Sequence, residues 1–178
     1  GGGNPAAVNG KIWIGFSDGS LLALNPETGA VESERSFRDN LKFSDIDARV
    51  LGWRDGVLVS TYDGRLRYLR KDGSSIWEFA SGGSRAPIVG DGEVLFFPSS
   101  DGAVYALSGN SGKEVWSFPL RRGVPTGLAL ISLKQRKVLV VSASEEKVFV
   151  LDAASGQLLA QASLGRGSGS YSPVAVDQ

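Results

Sequence analysis

The chain has 178 residues, 42% hydrophobic and 21% charged, with 19 basic and 19 acidic side chains and neither cysteine nor histidine. This is the composition of an ordinary globular chain with apolar material for one substantial core, and its balanced charge gives no global attraction for nucleic acid or an anionic membrane surface. Lack of cysteine removes disulfides and thiolate chemistry, and lack of histidine removes the commonest general base and metal ligand at neutral pH, so most hydrolytic constellations are excluded.

In chain order, one pattern recurs. FSDGSLLALNPETGAVESERSF, ending at Phe37, reads as a turn, an apolar run, a turn with glycine and a second run. TYDGRLRYLRKDGSSIWEF repeats it to Phe79, DGAVYALSGNSGKEVWSF runs from Asp101 to Phe118, and SASEEKVFVLDAASGQLLAQASL ends at Leu164. Two short apolar segments precede each copy, as in PIVGDGEVLFF from Pro87 to Phe97, so each unit holds four strand candidates joined by Gly, Asp and Asn turns. The later turn glycines are Gly29, Gly73, Gly112 and Gly156, at spacings of 44, 39 and 44 residues. That period is the length of a four-stranded propeller blade. The units fall at about 5–37, 46–79, 87–118 and 127–164, and 171–178 reads as the first strand of a further blade. No window of about 18 apolar residues occurs, so no membrane span is expected.

The strand pattern gives a physical reason for an all-β propeller of four-stranded antiparallel blades. VYAL (104–107), LLAL (21–24) and VFVL (148–151) are apolar on both alternating faces, so both faces must be covered. Stacking sheets face to face around an axis covers them and leaves only short edges. Small residues in the first strands, Ala6, Ala7, Gly52, Gly90 and Ala129, suit crowding near that axis. The pairs Asp18-Gly19, Asp63-Gly64 and Asp101-Gly102 supply the positive φ of tight hairpins; the aligned pair in the fourth unit is Glu145-Glu146, so that loop is expected to be built differently.

Few residues carry candidate chemistry. Asp45 and Asp47, in KFSDIDARV, point to one side of an extended chain, which suits a cation, acid–base work or an arginine from a partner; a solvated acidic turn fits equally. Glu145 and Glu146 read as solvated. PLRRG (119–123) and LKQRK (133–137) are basic loops suited to phosphate, to an acidic protein or simply to solubility. Trp77 and Trp116 occupy the same place in their units, where the others carry Ser33 and Ala160, and read as blade-to-blade packing residues. GRGSGSYSP (165–173) lacks the lysine and following helix of a phosphate loop and reads as a connector.

The unit P-x-V-x-x-G-x-V followed by D-G-x-V-Y-A-L and G-K-x-x-W, fullest from Pro87 to Trp116, resembles the repeat of quinoprotein-type (PQQ-like) β-propellers. More narrowly, FSDIDARVLGWRDGVLVSTYDGRLRYL and the tail QLLAQASLGRGSGSYSPVAV resemble the BamB family, periplasmic lipoprotein subunits of the outer-membrane β-barrel assembly machinery, the BAM complex. The resemblance implies a non-enzymatic scaffold with no cofactor and no metal, associated with the outer membrane from the periplasm. It also implies that Asp45 and Asp47 accept hydrogen bonds or salt bridges from the main barrel-forming subunit. The family closes eight blades and this chain supplies four, so the expectation is that two copies complete the ring or that the sequence is a fragment or truncated paralogue of a longer protein, ahead of a four-bladed ring closed within one chain. Two alternatives stay open: part of a PQQ-dependent quinoprotein dehydrogenase, and an extracellular sensor or adhesion propeller.

Overall fold

The computed structural model describes residues 5–37, 50–61, 64–84, 86–145 and 147–163. Asp45, Asp47, Asp63, Glu146, Leu164 and the strand expected at 171–178 lie outside the described residues.

The described residues form four four-stranded sheets and no helix. Blade 1 contains β1 (Ala6–Val8), β2 (Lys11–Gly15), β3 (Ser20–Leu24) and β4 (Val31–Ser36). Blade 2 contains β5 (Leu51–Trp53), β6 (Gly56–Thr61), β7 (Arg65–Arg70) and β8 (Ser75–Ala80). Blade 3 contains β9 (Val89–Asp91), β10 (Val94–Pro98), β11 (Ala103–Ser108) and β12 (Glu114–Pro119). Blade 4 contains β13 (Pro125–Ser132), β14 (Lys137–Ala143), β15 (Lys147–Asp152) and β16 (Leu158–Ser163). Every sheet is an antiparallel meander in chain order, the blade of a β-propeller.

Each gap between blades is one apolar cluster. Trp13, Leu21 and Ala23 of blade 1 meet Val57, Val59 and Leu69 of blade 2. Leu58, Leu66 and Trp77 meet Leu95, Phe97 and Leu107 across the next gap, and Phe96, Val104 and Trp116 meet Leu139, Val141 and Leu151 across the last. The middle blades are therefore covered on both faces: all six residues of β6 are buried. The end blades differ from the two-sided expectation. Leu22 and Leu24 on β3, and Val148 and Val150 on β15, are only half-buried, because each faces a side with no neighbouring blade among the described residues.

First strands are crowded where two blades meet. A Cβ on Gly52 would lie 2.9 Å from Val8 Cγ1, and one on Gly90 would lie 2.0 Å from the Trp53 ring. Ala7 and Ala129 are exposed instead, since their strand partners Ile12 and Val140 belong to the free faces of blades 1 and 4.

The turns that end in Gly19 and Gly102 are three-residue loops with glycine last. Gly19, Gly64 and Gly102 take φ of 83°, 83° and 93°, and their amides donate to the carbonyls of Phe16, Thr61 and Ser99. Asp18 and Asp101 do not take positive φ; their carboxylates accept from the Ser20 and Ala103 amides. In blade 4 Glu145 itself takes φ 63°, so that loop is indeed built differently.

The fourth strand of every blade carries a bulge at the same place. The register slips between Ala23 and Leu24, Tyr68 and Leu69, Ala106 and Leu107, and Val150 and Leu151. One residue on the outer strand is thereby left unpaired and turned to solvent: Glu32, Ile76, Val115 and Leu159. Of the residues after the bulges, Ser33, Trp77 and Trp116 are aimed at the following blade, whereas Ala160 is exposed.

Candidate interaction surfaces

Trp77 and Trp116 are blade-to-blade locks. Trp77 Nε1 donates to Gly109 O at 3.0 Å and Trp116 Nε1 to Ala153 O at 3.1 Å, each acceptor lying in the β-turn of the next blade. That turn ends in a glycine at positive φ, Gly112 or Gly156, and a Cβ there would come within 2.5 or 2.6 Å of the indole. Ser33 uses the same position, its Oγ donating to Asp72 O at 3.1 Å beside Gly73. Packing, not ligand stacking, occupies these tryptophans.

Arg67 escaped the sequence reading. It stands mid-strand in β7, 3% exposed. Its Nε lies 3.4 Å from Glu78 Oε1, its guanidinium donates to Thr61 Oγ1, and its carbon Cζ sits 4.8 Å from the centre of the Phe37 ring. Phe37 and Val50 bracket the stretch that contains Asp45 and Asp47, so this buried cation lies at one anchor of that connection. The signal was an arginine at the register position that Tyr105 and Phe149 fill in blades 3 and 4.

Those aromatics pack back onto the preceding blade. Tyr105 lies 5.0 Å from Phe79, and Phe149 lies 5.6 Å from Phe118, ring centre to ring centre. The Tyr105 hydroxyl donates to Asp101 Oδ2 at 2.7 Å. Burial first, then the Asp101 carboxylate, pushes its ionisation up to about 12.

The two basic loops behave differently. LKQRK closes the β13–β14 hairpin through Leu133 N to Arg136 O, and Lys137 Nζ is held by both oxygens of Asp91 at 2.7 and 2.8 Å. PLRRG instead borders a cavity of about 680 Å³ between blades 3 and 4, lined by Phe118, Leu120, Phe149 and Leu158 together with Arg121, Arg122 and Lys147. Lys147 pairs with Glu145 at 3.0 Å. Among the described residues, no group of three or more His, Cys, Asp or Glu side chains is arranged to hold a metal.

The four-bladed geometry can be set beside known proteins. The model of the family described as outer membrane protein assembly factor BamB matches residues 52–176. The chain belongs to this family. Its BamB relative from Taylorella asinigenitalis is 27% identical over 180 residues, covering 95% of this chain and 45% of that protein. The one from Kangiella koreensis is 22% identical over 187 residues, covering 97% and 45%. The chain thus spans less than half the length of these relatives. Among solved structures, BamB from Moraxella catarrhalis superposes with a TM-score of 0.71 at 21% identity, covering 91% of this chain and 53% of that one. A europium-containing methanol dehydrogenase reaches 0.75 at 18% identity, covering 89% and 40%. At these identities both likenesses speak for the propeller fold alone.

Proposed function

We propose that this BamB-family propeller is a non-enzymatic protein-interaction scaffold in the assembly of outer-membrane β-barrel proteins, working at the periplasmic side of that membrane. Its docking partner is the main barrel-forming subunit of the machinery, and Asp45 and Asp47 receive that partner's basic or hydrogen-bonding groups. The observation that supports this reading is the family match across residues 52–176, which runs through the propeller units on the C-terminal side of the two aspartates. Charge-assisted contacts to a carboxylate pair, once desolvated, are worth a few kcal/mol and set partner choice as much as affinity.

The propeller is completed by further blades packed on the free faces of blades 1 and 4, in this reading those of a second copy. Two geometric details support continuation of the stack. Gly29, φ 70°, has open space where Gly73, Gly112 and Gly156 each meet a side chain of the preceding blade, and Ala160 stands after the fourth bulge with its side chain exposed.

The test is recovery of bound proteins from an outer-membrane extract with the wild type and with the Asp45→Ala/Asp47→Ala double variant. The wild type is expected to enrich the barrel-forming subunit and the double variant to lose it. Enrichment of no assembly subunit by either form would remove the assignment, and a quinone absorbance in the purified protein would redirect it to the dehydrogenase reading.

A further inference from the structure

The outer ends of the three blade gaps are filled in three different ways. Between blades 1 and 2 the space holds Arg67, Glu78 and Phe37. Between blades 2 and 3 it holds Phe79 and Tyr105, with the tyrosine hydroxyl tied to Asp101. Between blades 3 and 4 the ring contact of Phe118 with Phe149 is kept, but the outer strand β16 offers Leu158 at its start and then only Gln161, Ala162 and Ser163, and the cavity of about 680 Å³ stays open.

Two cations border this opening without an ion-pair partner among the described residues, Arg121 and Arg122. They are held there by a strained backbone. Arg121 takes φ 58°, a region that side chains other than glycine rarely adopt, and Arg122 N closes back onto Leu120 O at 2.6 Å. A turn that keeps two adjacent arginines at the mouth of a cleft lined by both polar and apolar side chains, at the expense of relaxed geometry, points to a role in binding.

The lining selects among anionic ligands. Free phosphate would leave the floor of Phe118, Leu120, Phe149 and Leu158 unused. A flat anionic membrane surface would touch Leu158, 40% exposed, but not the inner part of the cleft beside Phe149, 6% exposed. Nucleic acid needs more phosphate-neutralising contacts than two unpaired arginines provide. What matches both features is a carboxylate beside an apolar side chain on an extended backbone.

We propose that the cleft between blades 3 and 4 is a binding site for a short extended polypeptide segment in which acidic and apolar side chains alternate. Arg121 and Arg122 meet its carboxylates, and the floor takes its apolar side chain. Its residues do not include Asp45 or Asp47, and binding here does not require docking through them.

The probe is a fluorescein-labelled eight-residue peptide alternating aspartate and phenylalanine, followed by anisotropy at low salt, with unfolding midpoints checking that each variant is folded. The wild type is expected to bind it, and Arg121→Ser/Arg122→Ser to weaken binding by about tenfold or more. Gln161→Trp, which fills the cleft without altering its charge, is expected to weaken it similarly, whereas Arg70→Ser/Lys71→Ser leaves it unchanged. Replacing the peptide's phenylalanines by serine, or its aspartates by lysine, should each abolish measurable binding. No binding by the wild type, equal binding by the arginine variant, or equal binding of the serine peptide would each overturn the proposal. So would arginine-dependent binding to vesicles containing phosphatidylglycerol with none to the peptide.

Discussion

The indole of Trp116 lies against Gly156 of the next blade and donates to Ala153 in the same turn, at 3.1 Å. Trp77 stands in the same relation to Gly112 and Gly109. The contact fixes how far blades 3 and 4 are each rotated from the one before, because the glycine cannot grow and the indole N–H has a single acceptor.

Gly29 and Gly156 separate backbone strain from packing. Both have φ near 70°, 70° and 73°, but only Gly156 has an indole within 2.6 Å of a hypothetical Cβ. Gly29→Ala is expected to destabilise by about 1 to 2 kcal/mol, the left-handed penalty alone. Gly156→Ala adds overpacking of about 1 to 3 kcal/mol. Urea unfolding of the two variants checks the difference, and equal losses would mean that the tryptophan simply moves aside.

Arg67 is the buried charge of the blade 1–blade 2 gap. Arg67→Ala takes a donor from Thr61 and one of the two arginines from Glu78, which is 40% exposed, and opens a void, and is expected to destabilise by about 3 kcal/mol, mostly through the void. Arg67→Met, which keeps most of the volume and removes the charge, should lose clearly less. Denaturant midpoints decide, and a methionine variant as unstable as the alanine one would show that charge, not packing, dominates the site.

Tyr105 makes stability depend on pH in the alkaline range. Its ionisation rises from 10.0 to about 12 on folding, through burial first and then the Asp101 contact. The neutral phenol is thus favoured in the fold. Its contribution is complete below pH 10 and declines as pH rises towards 12. Unfolding free energy measured across that window should fall for the wild type, with Tyr105→Phe losing this part of the slope. A slope unchanged in the phenylalanine variant would assign it elsewhere.

The free faces carry the fourth prediction. If a second copy covers them, each joint sets Leu22 and Leu24 of one chain against Val148 and Val150 of the other, so one substitution damages both joints. Leu22→Glu or Val150→Glu is expected to halve the mass measured by light scattering while leaving the strand signal in circular dichroism. A monodisperse wild-type monomer would end the idea of a second copy as the cover.

The blades were legible in the sequence because a strand apolar on both sides admits few packings, and because Gly29, Gly73, Gly112 and Gly156 mark the period. The role of Trp77 and Trp116 was legible from their shared place in the repeat. The bulge before them was not: spacing alone cannot show that Ile76 and Val115 are skipped in the register. Nor could strand alternation show that Arg67 is buried, since arginine reads as solvent-facing until the neighbouring blade supplies Phe37 and its own supplies Glu78. The open cleft needed three dimensions, because it arises from short side chains on β16 facing a turn some forty positions earlier. Asp45 and Asp47 remain a reading of the family pattern, their segment lying outside the described residues.

At each of the three seams the residue after a bulge reaches forward and the turn glycine of the next blade receives it, which gives the stack a direction, like bricks with a tongue on one side and a slot on the other. A tandem duplication of this unit would join tongue to slot through a shape already present in every internal seam, so propellers of this kind can lengthen by copying without inventing a new interface.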